Sequence, residues 1–163
     1  MIFHKSSMSG NLSVTLIISG VLLVVVGSFV LFIWPGLAKP ETRVFLGDGI
    51  FSADLALTQG ARDTGLSGER SLQTNHALLM AFPKEDRWGI WMKNMNFPID
   101  IVWLNKDKKV VYIVMNASPD DQTTIYKPLR PAKYVIELPG GTVSGKTINT
   151  SNIATFDIEG EVK

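Results

Sequence analysis

The segment WGIWMKNMNFPIDIVWL, residues 88–104, determines the predicted fold of the polar part of this chain. It contains three of the four tryptophans, and its two apolar halves flank a short polar stretch. Apolar runs of about 4–8 residues bounded by turn residues are typical of buried strands. We therefore predict a hairpin in which Trp88–Lys93 pairs with Ile99–Leu104 across the loop Asn94–Phe97.

Asp100 is the chemically unusual residue of this segment, because it interrupts an apolar strand and a buried carboxylate needs a partner. In the predicted hairpin Trp91 lies opposite Asp100, and Lys93 lies diagonally within its reach. One interpretation is a ligand site built from an ammonium, a carboxylate and an indole wall. The other, which we favour, is an ion pair that fixes the hairpin, since buried ion pairs are commonly structural.

Short strands account for most of the remaining pattern. Apolar and polar residues alternate over Phe51–Leu57, and Thr58 is a suitable cap for a short helix over Gln59–Thr64 that Gly65 ends. A second hairpin pairs Ile99–Leu104 with the next apolar run. Further strands are predicted at Ala77–Phe82, where Pro83 stops the run, and at Val110–Asn116, Lys133–Leu138 and Ile153–Ile158. This pattern predicts an α+β, mainly β domain: a compact antiparallel sheet or barrel-like domain with one or two short helices.

Glu137 is a second carboxylate within an apolar strand, on the face opposite to Tyr134, Ile136 and Leu138. If its strand neighbours that of Asp100, the two carboxylates are candidates for an acid and a base. The simpler interpretation, which we favour, is an exposed glutamate. We likewise interpret the tryptophans and four of the methionines as core rather than as a binding cage. Those methionines are Met80, Met92, Met95 and Met115.

The amino-terminal region contains a long uncharged run. Leu12–Ala38 has no Asp, Glu, Lys, Arg or His, and 17 of the 23 residues of Leu12–Trp34 are Leu, Ile, Val, Phe or Trp. A helix formed by these 23 residues would be about 34 Å long, enough to cross a bilayer core of about 30 Å. A cleaved signal peptide and a buried core helix are the alternatives. The run is longer than a signal peptide's apolar region and lacks a polar stripe, which favours a membrane anchor.

These patterns divide the chain into a tail (1–11), a single transmembrane helix acting as signal anchor (12–34), a linker (35–41) and a β-rich domain (42–163). We expect a single-pass protein of the cell membrane with an extracytoplasmic domain, anchored in the lipid bilayer through residues 12–34. Residues 39–163 contain 15 Lys and Arg and 15 Asp and Glu. This balance argues against nucleic acid as a partner, because nucleic acid binding requires a cationic excess.

The domain has few residues suited to catalysis or metal binding. It contains His76 as its one histidine and has no cysteine, so the sequence predicts neither a zinc site nor a Ser-His-Asp triad. Gly140-Gly141 lacks the lysine and hydroxyl residue of a phosphate-binding loop. We therefore expect no metal and no cofactor.

A series of short motifs runs through the domain over about residues 42–158. They are Thr58; Arg62, Gly65 and Leu66; Leu78–Phe82; Trp91-Met92-Lys93-Asn94; Pro98-Ile99-Asp100-Ile101; and Tyr134–Gly141. In these motifs and in their order the chain resembles domain-of-unknown-function family 192 of bacteria and archaea, with departures at Ser67, Met95 and Thr150-Ser151. The resemblance implies a small exported or membrane-anchored protein with a compact β-rich fold, and it carries no catalytic residue.

Two classes of function follow from these residues. The first is a membrane-tethered domain that binds a small polar ligand or an envelope protein, with Trp91, Lys93, Asn94, Asp100 and Glu137 as candidate site residues. The alternative is a hydrolase-like enzyme in which Asp100 and Glu137 act as acid and base and Lys93 stabilises charge. A purely structural role would leave no concave site near Trp91. The small set of catalytic residues favours the binding domain.

Overall fold

The computed structural model describes residues 40–159 and Val162, which belong to one compact unit, Lys39–Lys163. Neither of the helices in this described part of the chain has the length and apolar composition of a membrane span. The predicted transmembrane helix, residues 12–34, lies outside the described residues.

The described residues form eight strands and two short helices. In chain order these are β1 (Glu41–Leu46), β2 (Gly49–Ala56), α1 (Gln59–Thr64), β3 (His76–Asp86), β4 (Ile90–Trp91), β5 (Ile99–Leu104), β6 (Val110–Ala117), β7 (Ile125–Tyr126), β8 (Ala132–Pro139) and α2 (Thr142–Gly145). The prediction of a mainly β fold with one or two short helices is confirmed.

Six strands form one mixed sheet in the order β1-β2-β3-β8-β5-β6. The predicted antiparallel pairing holds for four of the five strand pairs of this sheet. The exception is β2 and β3, which are parallel, with Ala53 opposite Ala77. The connection that contains α1 returns the chain to the same end of the sheet, which a tight hairpin turn cannot do.

The sheet does not close into a barrel, because its edge strands β1 and β6 do not pair with each other. The carboxyl-terminal segment bridges to Phe45 of β1 through Thr155, and to Lys109, next to β6, through Ile153. These are isolated bridges, so the strand predicted over Ile153–Ile158 does not form a ladder. Main-chain groups at both edges are nevertheless partly satisfied, which protects exposed edges from pairing with other chains.

The first predicted hairpin is wrong and the second is confirmed. Ile90–Trp91 pairs with Ile125–Tyr126 in a separate two-stranded sheet. Strand β5 instead lies between β6, as predicted, and β8. The β5–β8 ladder pairs six residues of β5, so no hydrogen-bonding edge of β5 remains for the segment that precedes it.

Residues near the first helix follow the prediction closely. Helix α1 begins after Thr58, whose Oγ1 accepts a hydrogen bond from the Ala61 N–H at 3.2 Å, and ends at Gly65. Gly65 has φ of +52°, a conformation that favours glycine. Pro83 does not stop the next strand: β3 continues to Asp86, with an irregular register against β8 between Ala81 and Asp86.

Each face of the six-stranded sheet carries its own hydrophobic cluster. One contains Phe51, Leu79 and Ile136, and the carboxyl-terminal Phe156 packs into it. The other contains Met80, Ile101 and Trp103, together with residues of the β3–β5 connection such as Ile90, Met92 and Met95. We refer to them as the first and second clusters. The candidate site lies at the second cluster.

Candidate functional site

A pocket of about 200 Å³ opens beside the second cluster, between α1, the end of β3 and the β4–β7 pair. Apolar side chains form most of its wall, and polar side chains from α1 and β8 complete it. The lining residues are Gln59, Arg62, Asp63, Thr64, Gly65, Leu66, Ser67, Met80, Phe82, Trp88, Gly89, Ile90, Trp91, Met95, Ile125 and Glu137.

Glu137 projects into this pocket from the middle of the sheet. Strand β8 lies between β3 and β5, and its register places Glu137 between Leu78 and Ile101, two members of the second cluster. The residue is only 3% exposed, so the favoured interpretation of an exposed glutamate is wrong. Burial raises the pKa of Glu137 from its ordinary 4.5 to about 8, because an ionised carboxylate loses its hydration there.

The Glu137 carboxyl takes part in none of the hydrogen bonds or ion pairs found among the described residues, and burial is the cause of its pKa shift. The other polar side chains of the pocket all have partners within the protein. Gln59 Nε2 donates to Asp63 Oδ1 at 2.7 Å. Thr64 Oγ1 donates to the Gly60 carbonyl and Ser67 Oγ to the Lys93 carbonyl, both at 2.9 Å.

Aromatic rings form one wall of the pocket. Phe82 and Trp88 stack with their centroids 4.4 Å apart and their planes 11° apart. Trp91, which is 48% exposed, pairs with Ile125 across the β4–β7 ribbon. The interpretation of the tryptophans and methionines as core holds for Trp103, Met80, Met92 and Met95, although Met80 and Met95 also line the pocket. Trp88 and Trp91 line the pocket with only part of their surface buried, and Met115 is exposed.

Arg62 is a pocket residue that sequence reasoning did not single out as a site candidate. Its guanidinium donates from Nη1 to the carbonyl oxygens of Leu57 and Ala81, both at 2.8 Å, and its Cζ lies 5.1 Å from the Phe82 ring centroid. Arg62 therefore ties α1 to the end of β2 and to β3. The sequence feature that could have indicated its burial is its position four residues after the Thr58 cap, on a short helix that follows a buried strand.

Lys93 and Asn94 lie beside the pocket rather than in its lining. Lys93 Nζ lies 5.0 Å from the centroid of the Trp91 ring, a cation–π distance. The carbonyl of Asn94 accepts a hydrogen bond from Gly68 N–H at 2.9 Å, and Asn94 has φ of +56°. With the bond between Ser67 and Lys93, this contact holds the loop after α1 against the segment that carries Trp91.

Asp100 is completely buried, but its predicted ion pair with Lys93 is wrong. Its Oδ1 accepts from Asn116 N–H at 2.8 Å, and its Oδ2 accepts from Val143 N–H at 2.7 Å. The β5–β6 register shifts between Ile99 and Ile101, so two residues of β6 oppose the single residue Asp100. The carboxylate thus replaces a missing ladder bond at this bulge and fixes the first turn of α2.

The register also contradicts the hydrolase alternative. Asp100 lies opposite Leu138, a member of the first cluster, whereas Glu137 lies opposite Ile101, a member of the second. Directly paired residues share a face of the sheet and successive residues alternate. The two carboxylates therefore point to opposite faces and cannot act on one substrate as acid and base. Among the described residues no three His, Asp or Glu side chains cluster in a way that would hold a metal ion.

Comparison with known proteins identifies related chains. A model of domain-of-unknown-function family 192, described as Uncharacterized ACR, matches residues 43–153. A curated UPF0127 protein from Thermococcus gammatolerans is 31% identical over 86 residues, which cover 52% of this chain and 54% of the relative. The chain thus spans about half the length of the curated relative that it matches.

Two solved structures share the fold, each with a TM-score of 0.66. A Sinorhizobium meliloti protein, whose description proposes a transcription regulator, is 27% identical, and the match covers 73% of this chain and 94% of that one. A Novosphingobium aromaticivorans protein of unknown function is 25% identical, and the match covers 71% of this chain and 83% of that one.

Proposed function

The chain belongs to domain-of-unknown-function family 192, and we propose that its β-rich domain binds a small ligand with an apolar body and one polar group. The ligand occupies the pocket between α1, β3 and the β4–β7 pair. Its apolar part packs against the aromatic and methionine wall, and its polar group meets Glu137.

One observation carries this proposal: a carboxyl group that is almost completely buried, has no protein partner among the described residues and lines an open pocket. Buried polar groups are nearly always hydrogen-bonded, because burial without a partner costs about 1–3 kcal/mol. An unpaired buried carboxyl in a pocket therefore indicates a role other than stabilising the fold. Mostly apolar pockets with a few placed polar groups are typical of small-molecule sites.

The size of the pocket limits the ligand. Pockets for drug-sized molecules measure about 300–1,000 Å³, and this one measures about 200 Å³. The ligand is therefore smaller than a drug-sized molecule, or inserts only one end. Because Trp91 and Ile125 are half exposed at the rim, a longer ligand would leave the pocket across these two side chains.

The proposal is tested by a ligand-observed NMR screen of the purified full-length protein in detergent micelles. The library contains small neutral, cationic and anionic fragments, with protein-free micelles as the blank. Trp91→Ala removes part of the wall and should abolish or weaken binding at least tenfold. The matched control is Ile50→Ala, a substitution at a 61% exposed apolar residue that does not line the pocket. If no fragment binds, or if both variants bind like the wild type, the proposal is wrong.

We also propose that the domain is tethered to the membrane by residues 12–34 and faces away from the cytoplasm. The uncharged apolar run supports the tether. Replacing Val24 and Val25 by arginine should release the protein from carbonate-washed bacterial membranes, because each buried arginine costs about 2.5–3.5 kcal/mol of insertion free energy. Ser7→Arg, outside the run, is the control and should leave the protein in the membrane fraction.

We do not extend to this chain the role in transcription regulation that the description of the Sinorhizobium meliloti protein names. Residues 39–163 have equal numbers of acidic and basic side chains, whereas DNA binding depends on a cationic surface. The pocket gives a more specific basis for function than the shared fold, since one fold supports many functions.

A further inference from the structure

Resting on the proposed function, we propose that the polar group of the ligand is an organic ammonium ion, which pairs with the Glu137 carboxylate against the tryptophan wall. The inference follows from the charges around the pocket, from the aromatic surfaces and from the interactions that the other charged side chains of the lining already make within the protein.

The charged side chains that line the pocket are Arg62, Asp63 and Glu137. Asp63 stabilises the Arg62 guanidinium electrostatically, and two Arg62 hydrogen bonds go to the carbonyls of Leu57 and Ala81. With Arg62 and Asp63 balanced, an ionised Glu137 leaves one negative charge without a counter-ion. A monovalent cation in the pocket restores neutrality, and a buried charge requires such a partner.

No cation of the described residues serves this purpose. Two basic side chains lie near the rim: Lys93 places its ammonium over a tryptophan ring of the wall, and Lys127 packs against a glycine of the lining. Neither is an ion-pair partner of Glu137, whose raised pKa is caused by burial. On the neighbouring strands Glu137 is flanked by the apolar residues Leu78 and Ile101. The positive charge therefore has to come with the ligand.

The aromatic wall suits a cation as well. The pocket residues Trp91 and Phe82 already attract cations of the protein, Lys93 and Arg62, at 5.0 and 5.1 Å. Trp88 adds a second indole beside Phe82. Faces of tryptophan attract ammonium groups, and together with a carboxylate they form a common recognition site for alkylammonium ligands.

The competing ligand class is a neutral hydrogen-bond acceptor, which would bind the protonated carboxyl. The two classes predict opposite pH dependences. Since the pKa of Glu137 is about 8, an ammonium must displace a proton below that pH, so its affinity should rise about tenfold per pH unit from pH 6 towards 8. A neutral acceptor should bind equally well at pH 6 and 7 and more weakly above 8.

The test compares butylammonium with 1-butanol, which has the same chain length and no charge. Both probes keep their charge between pH 6 and 8, because alkylamines titrate near 10.4 like lysine. Binding to the full-length protein in micelles is measured by NMR at pH 6, 7 and 8, for the wild type, Glu137→Gln and Trp91→Ala. Glutamine keeps the shape of the protonated side chain and removes the titration.

We expect butylammonium to bind the wild type at least tenfold more tightly than 1-butanol at pH 8, and its affinity to fall more than tenfold at pH 6. Glu137→Gln should remove both effects. If 1-butanol binds as well as butylammonium and Trp91→Ala weakens it, the ammonium proposal is wrong and the binding pocket stands. If neither probe binds, the ammonium proposal is also wrong, and the fragment screen decides separately whether the pocket binds another class.

Discussion

Asp100 and Glu137 lie one register step apart on the neighbouring strands β5 and β8, and their side chains point to opposite faces of the sheet. Asp100 accepts two main-chain hydrogen bonds, whereas Glu137 lines a pocket and has no partner among the described residues. One carboxylate thus maintains the fold, and the other is available to a ligand. Four predictions follow from this division of roles and from the packing of α1 beside the pocket.

Asp100→Asn should destabilise the protein by about 1–3 kcal/mol, because the side-chain NH₂ would face a buried main-chain N–H and leave it without an acceptor. Denaturant unfolding followed by tryptophan fluorescence measures the change. Asp120→Asn is the control, since Asp120 is exposed, and it should stay within about 0.5 kcal/mol of the wild type. An Asp100→Asn variant as stable as the wild type would contradict the structural role.

Glu137 should make stability fall as pH rises. The folded-state pKa is about 8 and the ordinary value is 4.5, so between these values the folded protein holds a proton that the unfolded chain has released. The stabilising contribution is complete below about pH 4.5 and is lost as pH rises through about 8, by up to about 1.4 kcal/mol per pH unit. Glu137→Gln should remove this slope and be more stable than the wild type at pH 8.5. If the free energies of unfolding of the wild type and of Glu137→Gln change in parallel with pH, the raised pKa of Glu137 is wrong.

Gly60 within α1 and Gly65 at its end should respond in opposite directions to alanine. Gly65 has φ of +52° and ψ of −131°, and a Cβ there would lie 3.4 Å from Met80 Cε. Gly65→Ala should therefore cost about 1–3 kcal/mol. A Cβ at Gly60 would meet no atom within 4 Å apart from its chain neighbours and the backbone of its own helix, so Gly60→Ala should stabilise by about 0.5–1 kcal/mol. Thermal unfolding of both variants tests the pair, and equal shifts would contradict the helix boundary.

Arg62→Lys should cost about 1–3 kcal/mol, because a lysine ammonium cannot reproduce the planar set of hydrogen bonds to the Leu57 and Ala81 carbonyls. Hydrogen exchange should show faster opening of α1. Arg130→Lys is the matched control at an exposed arginine and should have no measurable effect. If exchange in α1 is unchanged in Arg62→Lys, the guanidinium does not hold the helix in place.

Local signals in the sequence predicted local structure well. The Thr58 hydroxyl, the six-residue helix and Gly65 were all placed correctly, because capping and positive-φ preferences act over a few residues. Alternation of apolar and polar residues also gave the correct faces of β2 and β8. The prediction that Trp88–Lys93 pairs with β5 was wrong. The pattern of apolar and polar residues determines which face of a strand is buried, whereas strand pairing depends on competition with distant strands such as β8.

The same limit applied to the site. Asp100 and Glu137 stand out as carboxylates in apolar strands, and both are indeed buried. The hydrogen-bond partners of Asp100 depend on a bulge in β6 and on the position of α2, and the pocket around Glu137 depends on the register of three strands. None of these features has a signature in sequence. Arg62 was missed for a related reason: a lone arginine on a short helix usually faces solvent, and here tertiary packing of α1 against β3 buries it.

The most direct test of the role of Glu137 is an NMR titration of its carboxyl in the full-length protein, with ¹³C-labelled glutamate and assignment by Glu137→Gln. We predict that this carboxyl titrates near pH 8 in the ligand-free protein, and that saturating butylammonium lowers its pKa by at least about one unit. A carboxyl that titrates near 4.5, or one that butylammonium leaves unchanged, would contradict the claim that Glu137 is an unpaired group that binds a cationic ligand.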